Sequence, residues 1–171
     1  MPLSQALAEG RIEAGDEDWS HYHTREWIGA VHAAHFQDGL FLSLDEGVVL
    51  DRPILAHHCT LGENVASCPR HRVQIASNAH AEVVLWSSAS ESSSGMVNAV
   101  FEAKVGSGAR LGLDKVQHEQ GAVYHLAHEH VVQEKDSTFR IHTVTVQGHW
   151  VRNELNVCLL YTSPSPRDGQ I

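Results

Sequence analysis

Three runs along the chain alternate apolar and polar residues at a common spacing. Ala81, Val83 and Leu85, then Ala109, Leu111 and Leu113, then Ser137, Phe139 and Ile141 recur every 28 residues, since 109 − 81 and 137 − 109 are both 28. Alternation with period two marks a strand with one buried face, and a fixed repeat marks one supersecondary unit stacked on the next. A turn-rich stretch precedes each run: Ser77-Asn78-Ala79, Gly106-Ser107-Gly108 and Lys135-Asp136. Between the runs, Met96 to Val105 and Ala122 to Gln133 are rich in β-branched or aromatic residues and read as second strands of each coil. The pattern predicts an all-β solenoid in which neighbouring coils bury one another and Val83, Leu111 and Phe139 share a column. A meandering β-sandwich, whose strands also alternate, is the competing arrangement.

Upstream, Thr24 is placed to cap a helix over about 25–36, with Trp27, Val31 and Ala34 on one face and Asp38-Gly39 ending it. Strands are expected over Gly39 to Leu44, Ile54 to Thr60, Arg72 to Ser77 and Ala81 to Trp86, with Asp51-Arg52-Pro53 as a turn. Ser87 to Gly95 reads as a polar loop. Its serines lack the Gly-x-Ser-x-Gly elbow of a nucleophile. The domain reading is therefore a partly helical segment over 1–38, a β-helical core over 39–157, and a tail over 158–171.

That tail changes in character. Cys158 to Asp168 reads CLLYTSPSPRD, which matches the translation of a transposase sequencing adapter, and the β pattern is expected to stop at Val157. The stretch is read as non-native and left out of fold reasoning, with the native chain expected to continue past Val157.

With 171 residues the chain is about one domain, and its formal charge of −9 argues against a surface built to neutralise phosphates. No apolar run reaches the roughly 18 residues of a membrane span, and Glu9 and Glu13 stand where a signal peptide would be basic and then apolar. Neither nucleic acid nor membrane is expected as a partner. Three cysteines are too few for a disulfide framework, and Cys59 and Cys68 lack C-x-x-C spacing; Cys59, between Leu55 and Leu61, is expected to be a small buried hydrophobe in a reducing compartment.

Four segments together resemble the SufB/SufD family of iron–sulfur cluster assembly proteins, and SufD more than SufB. They are Trp27 to Gly39 (WIGAVHAAHFQDG), Gly39 to Pro53 (GLFLSLDEGVVLDRP), Val105 to Gln117 (VGSGARLGLDKVQ) and Trp150 to Val157 (WVRNELNV). The resemblance implies a right-handed parallel β-helix with a short N-terminal helical segment. It also implies a non-catalytic scaffold subunit that works with a SufB-like paralogue and a SufC-like ABC-type ATPase, in the cytoplasm or, in a photosynthetic eukaryote, the plastid stroma. The absence of a G-x-x-x-x-G-K-[ST] phosphate loop agrees with a subunit that is not itself the ATPase. The cluster would be assembled by the complex rather than held stably by this chain. The family's cluster-forming cysteine and histidine lie toward the C-terminus, past the stretch covered here, so no position inherits them.

Fourteen histidines invite a metal reading, most of all His125, His128 and His130. On one extended strand His128 and His130 share a face with Tyr124 and Leu126, while His125 points the other way with Ala127 and Glu129. Gly121, His128, His130 and Glu134 imitate a cupin metal motif, with His149 and Asn153 as a faint second half. The alternative function is thus a small metal-dependent cupin-type enzyme using His128, His130 and Glu134. Its spacing disagrees at Gly121 and Gly148. A plain structural solenoid is the third reading. Arg110, Asp114, Lys115 and Glu119 are expected on a solvated face, and Arg152 and Asn153 at a turn.

Overall fold

The structure is a computed structural model that describes residues 1–12 and 27–160. Among the described residues, two short helices, α1 (Leu3–Ala8) and α2 (Trp27–His35), precede ten strands: β1 (Phe41–Leu44), β2 (Ile54–Thr60), β3 (Val65–Ser67), β4 (Arg70–Ile75), β5 (His80–Ala89), β6 (Ser94–Val105), β7 (Arg110–Glu119), β8 (Ala122–Glu134), β9 (Thr138–Gln147) and β10 (Trp150–Leu160). They form two sheets, one ordered β1-β4-β6-β8-β10 with β3 also on β6, the other β2-β5-β7-β9. Every strand pairing is parallel. The chain therefore winds through about four coils of a parallel β-helix, and the antiparallel sandwich is excluded.

Stacking departs from a strict 28-residue repeat at one step. Ala81 lies opposite Leu111, an offset of 30, and Leu111 lies opposite Phe139, an offset of 28. Val83 accordingly stands in the column Ile54, Val83, Leu113, Ile141, not the one with Leu111 and Phe139. The two additional residues sit at a corner: residues 90–93 join β5 to β6, whereas only Gln120 and Gly121 join β7 to β8. An insertion of two keeps the phase of a period-two pattern, so inward residues stay inward.

Between the sheets, Val73, Val83, Phe101, Val105, Leu111 and Leu113 belong to one apolar cluster, each no more than 2% exposed. Each apolar side chain buried this way is worth about 1.5–3 kcal/mol. The opposite corner repeats one turn in every coil. Val48, Ala79, Ala109 and Ser137 donate their N–H to the carbonyl three residues back, and the third turn residue is left-handed: Gly47, Asn78, Gly108 and Asp136, with φ of 71°, 59°, 69° and 60°. Glycine, asparagine and aspartate are the residues that tolerate this region. Neighbouring turns are tied by Gly47 N–H to Ser77, Asn78 N–H to Ser107 and Gly108 N–H to Lys135 carbonyls, each at 3.0 Å.

The helical segment lies against the first coil. Leu3 and Ala6 of α1 pack with Phe41, and the Phe36 ring just past α2 carries the Arg70 guanidinium 5.2 Å from its centroid. Beneath them Arg70 grips Glu102 with two bonds of 2.9 and 3.0 Å, and Arg72 adds a third at 2.9 Å. From Gly29 onward, α2 buries Gly29 and His32 and half-buries Val31, while Ala34 is exposed. Of the expected face of Trp27, Val31 and Ala34, Ala34 thus points to solvent and Val31 is half-buried, and the expected cap at Thr24 lies outside the described residues. Ser87 to Ala89 and Ser94-Gly95 are strand rather than loop, and β10 runs in register to Leu160, opposite Glu134, three residues beyond the expected stop at Val157.

Candidate functional site

Alternation along β7 starts with the buried pair Leu111 and Leu113 and continues inward to Lys115, Gln117 and Glu119, which are 5%, 1% and 0% exposed. On the facing strand β8 the inward positions include His125 and Glu129, both equally enclosed. One half of the third coil's lumen is therefore polar and charged. Lys115 Nζ donates to Glu129 Oε1 and, at 2.7 Å, to Asn153 Oδ1 of β10. His125 Nδ1 meets Glu119 Oε1 at 2.9 Å. Gln117 Oε1 accepts from Thr145 Oγ1 at 2.8 Å and from Asn153 Nδ2 at 3.2 Å. Buried charges of this kind persist only when paired and hydrogen-bonded, and their presence in place of leucine or valine marks the lumen as the candidate site.

Two more imidazoles reach this lumen from the first coil. His58 of β2 stands in one column with Ser87 and Gln117, and His71 of β4 in one column with Phe101 and Glu129. Burial pushes the His71 pKa down to about 4, with the neighbouring His58 and His32 imidazoles adding to it. Its Nδ1 accepts the Leu40 N–H at 3.1 Å, which requires an unprotonated nitrogen there. Burial lowers the His58 pKa too, and its Nε2 lies 2.9 Å from Ser67 Oγ. These side chains also line an open pocket of about 440 Å3 at the first-coil end, together with Asp38 and Cys68. Burial pushes the Cys68 thiol up from its ordinary pKa, which disfavours the reactive thiolate.

The residues singled out for a metal do not converge. His128, His130 and Glu134 share the outward face of β8, but six residues of strand put His128 and Glu134 about 20 Å apart at ~3.3 Å per residue. His128 Nδ1 pairs with Glu154 of β10 at 3.2 Å. Glu134 instead accepts from Ser107 N–H at 3.0 Å and Ser107 Oγ at 2.8 Å. Gly121 is a corner residue with φ +79°, His149 packs edge-on against Tyr124 at 5.1 Å, and Asn153 faces the lumen. A cupin is an antiparallel jelly roll, and the parallel coils seen here overturn that reading. Among the described residues, no group of three or more His, Cys, Asp or Glu side chains is arranged to hold a metal ion.

Other sequence expectations are corrected as well. Lys115 and Glu119 are enclosed rather than solvated, whereas Arg110 is exposed and Asp114 half-buried outside the barrel. Extending the Leu111-Leu113 parity by three steps would have found both; assigning charged side chains to solvent by habit concealed them. Arg152 and Asn153 lie within β10, where Arg152 pairs with Glu154 and Asn153 with Lys115. Cys59 is exposed, as are Leu55 and Leu61, because its strand position is outward in the first coil.

Met96, Tyr124 and Trp150 stand in register on the outer face and, with His128 and Arg152, line a second open cleft of about 760 Å3. At the fourth coil, Leu155, Val157 and Leu159 have inward parity yet remain 46%, 42% and 48% exposed, since no described strand covers them.

Compared with known proteins, residues 58–163 match the family model described as "SUF system FeS cluster assembly, SufBD core domain". No curated protein and no solved structure matches the chain. The matched stretch takes in β3 to β10 and the whole polar lumen.

Proposed function

Because the chain belongs to the SufBD core domain family of the SUF iron–sulfur cluster assembly system, we propose that it is a SufD-like, non-catalytic scaffold subunit working with a SufB-like paralogue and a SufC-like ATPase. The family match across the parallel β-helix is the observation that carries this reading. The cluster is cargo in this account: it forms on the assembled complex, and ATP turnover in the ATPase rearranges subunits held by the rigid stack.

Co-expression with a SufB-like and a SufC-like protein tests the reading. Expected is a stable three-component complex that acquires an iron–sulfur chromophore on anaerobic reconstitution, while this chain alone hydrolyses no ATP. Failure to associate with either partner, or ATP hydrolysis by this chain alone, would refute it.

A further inference from the structure

The hydrogen-bonding polarity of the lumen is fixed by one residue. Lys115 Nζ can only donate, so the Asn153 atom facing it at 2.7 Å is the amide oxygen. The Asn153 amide nitrogen is then the donor to Gln117 at 3.2 Å, which makes the Gln117 atom there its oxygen. That oxygen takes a second bond from Thr145 Oγ1 at 2.8 Å. Flipping Gln117 would set two NH2 groups against each other. Its own Nε2, carrying two N–H donors, consequently faces away from Asn153, and it is buried without a partner.

A second orphan stands in the same column. His58, Ser87 and Gln117 are in register on β2, β5 and β7, and all three line a cavity of about 20 Å3 between the first and third coils. The cavity exists because Ser87, with Ala99 across the lumen, is small where its neighbours above and below are long. His58 Nε2 is engaged with Ser67, and its Nδ1 is buried with no hydrogen-bond partner. Burial lowers the His58 pKa, and in the neutral ring Nδ1 can accept when Nε2 carries the proton.

We propose that this cavity is a binding site for one small polar molecule, occupied by water, held between Gln117, His58 and Ser87. The complement is matched atom by atom: Gln117 Nε2 donates to the water, the water donates to His58 Nδ1, and the Ser87 hydroxyl can give or take. The room fits too, since one water needs ~10–15 Å3 and two to four polar partners. A buried amide nitrogen without a partner is costly, and the water removes that cost. The site links the first coil to the third across the small-residue layer of the second.

A crystal structure of the full chain at high resolution is the direct test. Expected is a single density peak about 2.7–3.2 Å from both Gln117 Nε2 and His58 Nδ1. Oxygen-17 relaxation dispersion in solution, which counts long-lived internal waters, should then lose one water in Ser87→Val, whose added bulk fills the space. Three results would overturn the proposal: an empty cavity in well-ordered density, a Gln117 amide bonded directly to protein in another rotamer, or an unchanged internal-water count in a folded Ser87→Val. Should Ser87→Val fail to fold, Ser87→Ala serves in the crystal, where the peak must persist on the two remaining partners.

Discussion

Replacing Lys115 by methionine removes the lumen's cation while nearly preserving volume. Lys115 and Glu129 are 5% and 2% exposed, so the carboxylate left behind cannot recover its hydration without opening the coil. Breaking a buried pair from one side costs about 3–5 kcal/mol. That is a large share of the ~5–15 kcal/mol that holds a domain together. The Lys115→Met/Glu129→Met double variant takes away both charges and leaves only Asn153 Oδ1 short of a donor, a penalty of about 1–3 kcal/mol. Urea denaturation should therefore show a large loss for the single variant and recovery of much of it in the double. A single-variant loss under about 1 kcal/mol, or a double variant worse than the single, would refute the reasoning that the polar lumen is a buried, mutually compensating set.

Two other outcomes are expected. The folded pKa of His71 near 4 lies below its ordinary 6.5, so the unfolded chain takes up a proton that the native chain refuses; stability should fall by about 3 kcal/mol from this group as pH drops from 6.5 to 4, and His71→Asn, which keeps an acceptor, should flatten that part of the curve. At Gly121 a β-carbon would stand 2.3 Å from the Ser93 carbonyl oxygen on a φ of +79°, so Gly121→Ala should lower the unfolding midpoint by an amount equivalent to about 1–3 kcal/mol; an unchanged midpoint would show that the corner relaxes freely.

Most of the architecture was legible because a β-helix writes itself in parity and turns. Ala81, Val83, Leu111, Leu113, Phe139 and Ile141 announced their face, and Asn78, Gly108 and Asp136 announced the corner between coils. Register was less legible: four residues at one corner and two at the next displace a column by two without disturbing alternation, so the sequence pattern looks equally good at either offset. The six-residue α1 has no side-chain cap to announce it. At the candidate site the difficulty was different in kind. A run reading Leu111, Leu113, Lys115, Gln117, Glu119 suggests a strand leaving the core, when the facing strand supplies His125 and Glu129 to receive those charges. Such compensation comes from residues on a separate strand and is invisible one strand at a time. The outward histidines His128 and His130, by contrast, stand out in the sequence through their number and a partial motif likeness, neither of which carries information on three-dimensional convergence.

Cross-linking measures the stacking register that all of this rests on. In a chain whose Cys59, Cys68 and Cys158 are replaced by serine, cysteines at Trp86 and Val116, paired on β5 and β7, stand about 4.8 Å apart between adjacent strands and within disulfide reach. Mild oxidation followed by mass spectrometry should find that bridge formed in Trp86→Cys/Val116→Cys and absent in Trp86→Cys/Asp114→Cys, the pair a uniform 28-residue repeat would bring together. Bridging of the second pair but not the first would contradict the coil register, and with it the lumen built on that register.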